Sequence, residues 1–271
     1  MTLSVDRYLS RIGYPGAAPA TPTRDALDTI VAHHTDAIPF ENLDPFLGTP
    51  VRIDLDSIQA KLVERKRGGY CFEHNLLLAA VLTALGYDVT RLAARVLWGK
   101  SPDVTSMRTH MLLLVRVAGD DTPRVVDVGF GGMTMSGSIA LTRGDAQATP
   151  LEPFRLVDLD GDYALQGLVG DEWRWIYRFD LHPEQPIDYE PVNWYLSTSP
   201  DSHFVTGLMA ARVTEGRRLA LAGTRFTVHA PEGSTRRELA NADELREVLA
   251  GEFGIDVAGL DGLDDAFARL G

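Results

Sequence analysis

The stretch Arg67-Gly68-Gly69-Tyr70-Cys71-Phe72-Glu73-His74-Asn75 decides how this chain folds, because two glycines end one helical pattern and a long apolar helix pattern follows them. It also contains the only cysteine among the 271 residues. A thiol at a helix start lies beside unpaired backbone N–H groups and the positive end of the helix dipole, and both favour a thiolate. Cys71 is therefore a candidate nucleophile. The alternative is that it is a small buried hydrophobic residue.

Helical patterns flank this stretch from residue 4 to about residue 90. Thr23-Arg24-Asp25-Ala26 is a capped helix start, and Asp54-Leu55-Asp56-Ser57 opens a second helix that ends before Gly68. The helix that begins near Cys71 is apolar on all sides, and Gly86 is a good terminator for it. We expect Cys71 to lie on a rigid, buried helix.

Short β-type runs separated by polar turns replace the helical pattern after Gly86. They are Asp88 to Val96, Met111 to Val117, Arg124 to Val128, Tyr163 to Leu168 and Trp173 to Phe179. Close spacing of such runs predicts antiparallel strands in a barrel or compact sheet rather than alternating βα units.

A mixed segment follows Pro186, with a predicted helix near Val192 to Leu196, strands near Arg212 and Phe226, and an acidic helix from Ala242 to Phe253. We therefore predict an α+β protein with three parts. Residues 1–87 form a helical domain that carries the candidate nucleophile, residues 88–185 form a β domain, and residues 186–271 form an interdomain segment of mixed structure.

Composition excludes several classes of function. A net charge of −12 disfavours binding to nucleic acid, and the run Arg65-Lys66-Arg67 is too short for a phosphate-binding patch, so we interpret it as a solvated helix end. The longest apolar run, near Leu76 to Leu82, is too short to span a membrane. One cysteine permits no intrachain disulfide, and the first residues lack the pattern of a signal peptide, so we expect a cytoplasmic protein.

A catalytic thiol needs a base, and that base needs an orienting group. His74 lies three residues after Cys71 on the predicted helix, which would place the two on neighbouring faces. His110 is the other candidate, because it precedes a β run and Asp127 lies among valines in the next run. A carboxylate in that position either faces solvent or has a partner, since burying it unpaired would cost several kcal/mol.

The pairing of His110 with Asp127 depends on the register of the two strands. In a hairpin the two residues are directly opposite only when the turn is centred between Ala118 and Gly119. The polar turn is centred slightly later, and a β-bulge could correct the difference. The sequence therefore leaves the register open.

Four motifs together resemble those of the arylamine N-acetyltransferases. Arg67 to Asn75 is similar to the family's active-cysteine signature, and Pro39-Phe40-Glu41-Asn42-Leu43 to its early Pro-Phe-Glu-Asn segment. Thr109-His110-Met111 resembles the histidine strand, and Val126-Asp127-Val128-Gly129-Phe130-Gly131 the aspartate strand. The resemblance extends over most of the chain, including Ser197 to Phe204.

The resemblance implies that Cys71, His110 and Asp127 are the nucleophile, the general base and acid, and the orienting residue, and that His74 is structural. It implies a cysteine-protease-like Cys-His-Asp core with a helical N-terminal domain, a central antiparallel β-barrel and a C-terminal α/β lid. The implied activity is ping-pong transfer of an acetyl group from acetyl-CoA to an arylamine, arylhydrazine or hydrazide, without a metal, in xenobiotic metabolism. Arg67 and Glu41 are assigned to an internal ion pair.

Pocket residues follow from the same resemblance. Positions that line the acceptor pocket in the family correspond to Phe40, Phe130 and Phe204. Positions near the pantetheine arm and nucleotide of the donor correspond to Trp98, Thr109, Gly131 and Met209. Trp98 and Met209 are also compatible with ordinary core or surface roles.

Other functions share parts of this pattern. An amide synthase would take its acyl group from a carrier protein, so activity with free acetyl-CoA would count against it. A cysteine peptidase or a transglutaminase-like enzyme would use the same three residues on the same fold. A metal or ligand-binding module would use Cys71, Glu73 and His74, but one thiolate and scattered histidines disfavour a closed zinc site. The physiological acceptor, the acyl length and the oligomeric state stay open.

Overall fold

Two antiparallel sheets and the helices packed against them make up the chain. The computed structural model describes residues 3–214 and 216–270. The α-helices of this part are α1 (Val5–Arg11), α2 (Arg24–Ala37), α3 (Leu43–Phe46), α4 (Leu55–Ile58), α5 (Cys71–Ala84), α6 (Glu190–Thr198), α7 (His203–Thr206), α8 (Ala242–Gly251) and α9 (Leu263–Ala268). A π-helix (Gln59–Glu64) continues α4, and a 3₁₀ helix (Pro186–Tyr189) precedes α6.

The strands are β1 (Phe40–Glu41), β2 (Asp88–Val96), β3 (Arg108–Arg116), β4 (Arg124–Val126), β5 (Ile139–Ala140), β6 (Phe154–Leu159), β7 (Asp162–Val169), β8 (Glu172–Phe179), β9 (Met209–Thr214), β10 (Arg217–Ala222), β11 (Arg225–Ala230) and β12 (Gly233–Glu238). Among the described residues, no helix combines the length and the apolar character needed to cross a membrane.

Helix α5 is the buried centre of the N-terminal part. It begins at Cys71 as predicted, and the backbone N–H of Tyr70 donates to Glu73 Oε2 at 3.0 Å, which caps the first turn. Its apolar side chains are buried on several sides because α1, β2 and β3 pack against it. Gly86 follows its end at φ 89°, the left-handed conformation that terminates helices at low cost.

The larger sheet has the strand order β5-β4-β3-β2-β8-β7-β6 and is nearly closed into a barrel. Two isolated bridges, Arg143 to Leu156 and Gln147 to Phe154, join the segment after β5 to β6 at the other edge. Barrel interior residues form one apolar cluster that includes Leu92, Leu112 and Phe154. The predicted α+β class is confirmed. Strand β2 has its predicted bounds, whereas β4 ends at Val126 and leaves Asp127 just beyond it.

The smaller sheet has the order β1-β9-β10-β11-β12. Its first strand comes from the N-terminal part of the chain, because Phe40 pairs with Ala211 and Glu41 with Ala210. One face of the sheet packs with α8 and α9 around Phe226, Leu245 and Phe253. The division at residues 87 and 185 stays a prediction, and β1 lies outside the C-terminal segment whose sheet it joins.

One local expectation was wrong near the cysteine loop. The helix that opens at Asp54 ends before Gly68, as predicted, and its second half is the π-helix, where Gln59 and Lys61 are buried. Gln59 Oε1 accepts from the backbone N–H of Ser4 at 2.8 Å. Arg65 and Lys66 are exposed, as the solvated helix end predicted, but Arg67 is only 7% exposed, because carboxylates surround its guanidinium.

Candidate active site

His110 and Asp127 form a buried pair at the end of the β3–β4 hairpin. His110 Nε2 lies 2.7 Å from Asp127 Oδ2, and both residues are almost fully buried. Leu113 pairs with Val126, so the turn is centred one residue later than it would be if His110 lay directly opposite Asp127. In this register His110 and Asp127 are diagonal neighbours on one face of the hairpin. Asp127 therefore does not face solvent, and the later turn still brings the two side chains together without a bulge between them.

Cys71 contacts this pair from the first turn of α5. Its thiol lies beside the His110 imidazole, close enough to act on the pKa of that ring. Sγ also lies 3.7 Å from the carbonyl oxygen of Thr109. Burial alone would lower the pKa of His110, but the charge of Asp127 and hydrogen bonds to Asp127 and Cys71 raise it to about 10. The imidazole is therefore protonated at neutral pH, which provides a cation beside the sulfur atom.

Asn75 fixes the carboxylate of Asp127. Its Nδ2 donates to Asp127 Oδ1 at 3.0 Å and to the carbonyl of Met111 at 2.8 Å, while its Oδ1 accepts from Val128 N at 3.2 Å. Burial acts to raise the pKa of Asp127, but the charge of His110 and the hydrogen bonds from His110, Asn75 and Gly129 hold it below its usual range. No role for Asn75 was predicted from the sequence. Its only signal in the sequence is its position one helical turn after Cys71, immediately before the apolar run that begins at Leu76.

His74 is engaged elsewhere. Its Nε2 lies 3.1 Å from the carbonyl oxygen of Pro39, and its Nδ1 lies 2.8 Å from His34 Nε2. Both ring nitrogens therefore have partners outside the Cys71–His110–Asp127 series. The geometry disfavours His74 as the base for Cys71.

The three predicted pocket phenylalanines lie in one aromatic neighbourhood. The Phe130 ring is edge-on to His110, with centroids 5.2 Å apart. Phe40 packs near Phe204 at 6.1 Å between centroids, and a Cβ at Gly131 would be 3.4 Å from the Phe40 ring. Gly131, at φ 87°, thus lets Phe40 approach the segment that carries Phe130.

The predicted donor-site residues are more dispersed. The carbonyl oxygen of Thr109 lies beside the Cys71 thiol, whereas Trp98, in the loop after β2, is 44% exposed. Met209 begins β9, and its backbone N–H donates to Asn42 Oδ1 at 2.6 Å. Asn42 Nδ2 in turn donates to the carbonyls of Phe204 and Gly207, at 2.8 and 2.6 Å. Asn42 therefore ties Phe204 and Met209 to the segment that carries Phe40, a role that the sequence did not reveal.

A buried ion network supports the cysteine loop. Arg67 pairs with Glu41 and Asp44, each at 2.8 Å, and Lys61 pairs with Asp44 at 2.7 Å and Glu73 at 2.8 Å. The predicted Arg67–Glu41 pair is confirmed. The network contains three carboxylates and only two cations. The pKa of Glu73 is raised to about 7, mainly by burial and also by the neighbouring carboxylates. Within residues 3–214 and 216–270, no cluster of three or more His, Cys, Asp or Glu residues could hold a metal ion.

A thiol beside a hydrogen-bonded imidazole and carboxylate, on an α+β fold, defines the class of proteins with Cys-His-Asp sites. Comparison with known proteins narrows this class. A profile of the N-acetyltransferase family matches residues 23–261. The chain is 43% identical over 266 residues to the arylamine N-acetyltransferase of Mycolicibacterium smegmatis, covering 97% of this chain and 96% of that protein. It is 36% identical over 269 residues to the Escherichia coli arylamine N-acetyltransferase, covering 98% of this chain and 92% of that one.

Solved structures agree with these relationships. The Mycobacterium marinum arylamine N-acetyltransferase superimposes with a TM-score of 0.94 at 43% identity, covering 98% of both chains. The same enzyme in complex with CoA superimposes with a TM-score of 0.93, again at 43% identity and 98% coverage of both chains. The protein belongs to the arylamine N-acetyltransferase family, and it is an acyltransferase, as the sequence motifs predicted.

Proposed function

We propose that this enzyme transfers the acetyl group of acetyl-CoA to the nitrogen of an arylamine, arylhydrazine or hydrazide through an acetyl-cysteine intermediate. The observation that supports this most is the position of Cys71 beside the hydrogen-bonded pair of His110 and Asp127. The names of the relatives support the acceptor class, and the CoA complex of the M. marinum enzyme supports the donor.

In the first half-reaction, the Cys71 thiolate attacks the thioester carbonyl carbon. The tetrahedral intermediate collapses as the bond from carbon to the CoA sulfur breaks, and the His110 imidazolium gives its proton to that sulfur. Asp127 holds the imidazole by its Nε2, so Nδ1 is the nitrogen that exchanges protons at the reacting atoms. The acetyl group is then bound to Cys71.

In the second half-reaction, the acceptor nitrogen attacks the acetyl-cysteine carbonyl. His110 takes the proton of the attacking nitrogen, and the Cys71 thiolate leaves. A weakly basic aromatic amine or hydrazine suits this step, because its lone pair is free at pH 7 whereas an alkylamine is protonated. The backbone N–H of Cys71, at the start of α5, would stabilise the oxyanion in both steps.

Binding roles follow from the same proposal. Phe40, Phe130 and Phe204 form the flat apolar wall of the acceptor pocket. The packing of Phe40 near Phe204, and of Phe130 against His110, supports this assignment. The donor contacts Trp98, Thr109, Gly131 and Met209. A cytoplasmic location fits an enzyme whose Cys71 must stay a free thiol.

Intact mass measurement tests the proposal. The wild-type protein and Cys71→Ser are incubated briefly with acetyl-CoA and no amine. A gain of one acetyl group in the wild type alone, discharged by an added arylamine or hydrazine, is the expected result. If folded wild-type protein with a titratable thiol gains no mass, the proposed donor is wrong, and carrier-bound thioesters become the next substrates to assay.

A further inference from the structure

Four groups form a buried chain of hydrogen bonds that the proposed reaction does not use. The Tyr8 hydroxyl lies 2.8 Å from His34 Nδ1, and His34 Nε2 lies 2.8 Å from His74 Nδ1. His74 Nε2 lies 3.1 Å from the carbonyl oxygen of Pro39. Tyr8, His34 and His74 are each 0% exposed, so water cannot replace any of these contacts. This set is called the histidine relay below.

The direction of every bond in the histidine relay follows from its last member. A carbonyl oxygen only accepts, so His74 Nε2 must carry a hydrogen and donate to Pro39. A neutral His74 then accepts at Nδ1 from His34 Nε2, and a neutral His34 accepts at Nδ1 from Tyr8. Both imidazoles are neutral, since burial, the largest cause, lowers the pKa of each. The relay therefore has one arrangement of hydrogens.

The carbonyl at the end of the relay lies where the cysteine loop meets β1. Gly69 N also donates to the Pro39 carbonyl, but at a longer 3.4 Å, and Glu41 N donates to the Gly69 carbonyl at 2.8 Å. The residues on both sides of Phe40 are therefore hydrogen-bonded to the backbone of Gly69, which lies two positions before Cys71. The Pro39 carbonyl has a shorter hydrogen bond from the His74 side chain, in the first turn of α5, than from Gly69 N.

We infer that His74, oriented by His34 and Tyr8, is a positioning residue that fixes the Phe40 wall relative to Cys71 and thereby sets the efficiency of acetyl transfer to the aromatic acceptor. This inference rests on the proposed function. The donor half-reaction depends on Cys71 and His110, whereas the acceptor must also fit against Phe40. Loss of the relay therefore lowers the second half-reaction selectively.

Steady-state kinetics of a ping-pong enzyme separate the two half-reactions. The value of kcat/KM for acetyl-CoA depends only on the first half-reaction, and kcat/KM for the amine depends only on the second. His74→Leu removes both bonds, and His74→Gln keeps an acceptor and a donor in similar places. His33→Leu is the matched control, since His33 precedes His34 on α2 and its ring contacts Ile12 instead. Melting temperatures and circular dichroism select folded proteins for the comparison.

We expect His74→Leu to lower kcat/KM for an arylamine about tenfold, with kcat/KM for acetyl-CoA within about twofold of wild type. His74→Gln restores most of the acceptor value, and His33→Leu changes neither. An equal loss in both half-reactions, no loss in either, or a glutamine no better than leucine would overturn the inference.

Tyr8→Phe tests the far end of the histidine relay without a substitution in α5. It should lower the acceptor kcat/KM about threefold in the wild type and have no further effect in His74→Leu, because the two residues act through one chain. Additive effects in the double variant would contradict a shared relay. If the wild type itself acetylates no amine, the proposed function fails, and that result is distinct from a failure of the relay.

Discussion

Gly129 and Cys71 approach each other so closely that no side chain fits between them. A Cβ on Gly129 would lie 2.7 Å from Cys71 Cα and 2.9 Å from Asn75 Nδ2. This contact joins the end of the β3–β4 hairpin, which carries Asp127, to the first turn of α5, which carries Cys71. The backbone itself therefore sets the distance between the Cys71 thiol and the Asp127 carboxylate.

Gly129→Ala should disrupt that distance. The added methyl group meets backbone and a hydrogen-bonded amide, so the hairpin must shift. We expect kcat/KM to fall about 100-fold and the free energy of unfolding to fall by about 1–3 kcal/mol. Gly132→Ala is the matched control, because its Cβ would meet nothing within 4 Å. Steady-state kinetics measure kcat/KM, and urea unfolding measures the stability, of each variant. Equal kcat/KM values in the two variants would refute the steric argument.

Stability at alkaline pH should depend on His110. Its pKa is raised from 6.5 to about 10, so the folded state binds this proton more tightly than the unfolded state. Its contribution to stability is complete below pH 6.5 and is lost as the pH rises through about 10. Urea unfolding of wild type and His110→Gln between these limits should show a steeper decline in the wild type. Parallel curves would mean that the imidazole is neutral in the folded enzyme.

The buried cation Lys61 should be far more important for stability than an exposed one. The side chains of Lys61 and Glu73 are almost fully buried, so Lys61→Met leaves the Glu73 carboxylate without its cation and leaves Asp44 with Arg67 alone. We expect a loss of roughly 3–5 kcal/mol in the free energy of unfolding. Arg7→Ala is the comparison, because the Arg7 side chain is 65% exposed, and its bond to Glu64 should contribute less than about 1 kcal/mol. Similar losses in chemical denaturation would show that burial is not the deciding factor.

Acid should destabilise the protein through the two relay histidines. The pKa of His74 is lowered from 6.5 to about 4, and that of His34 is also well below its ordinary value. The unfolded state therefore binds protons first, and stability is lost as the pH falls from 6.5 toward 4. Burial is the main cause for both. Arg11 adds to it at His34, Lys61 adds to it at His74, and Asp127 opposes it there.

Unfolding of wild type and His74→Gln over this pH range checks the acid prediction. The variant lacks one of the two titrating groups, so its stability should fall less steeply. A variant curve that runs parallel to the wild type would show that carboxylate protonation alone explains the acid loss.

Local sequence signals predicted the elements that carry the reacting groups. Two glycines before an apolar run predicted the start of α5 at Cys71, and the alternating run after Gly86 predicted β2 with its observed bounds. These signals work because helix ends and strand periodicity depend on neighbouring residues. The site residues were placed from motifs, and their catalytic roles stay predictions.

Signals that depend on distant partners were absent from the sequence. Strand β1 has two residues, too few for a periodicity, and its partner β9 lies far along the chain. The π-helix at Gln59–Glu64 places Lys61 in buried ion pairs with Asp44 and Glu73, and no local pattern indicates these contacts. The His110–Asp127 register could not be decided, because a shift of one residue in the turn is invisible in a polar loop.

The pairing of β1 with β9 has a consequence for biosynthesis. A chain made from its N-terminus exposes Cys71 early, but the strand that holds Phe40 lacks its partner strand until Met209–Thr214 has left the ribosome. Asn42 likewise has no contact with the carbonyls of Phe204 and Gly207 until that stage. The nascent chain therefore contains the proposed nucleophile long before the proposed acceptor wall is held in place, which requires translation of most of the polypeptide.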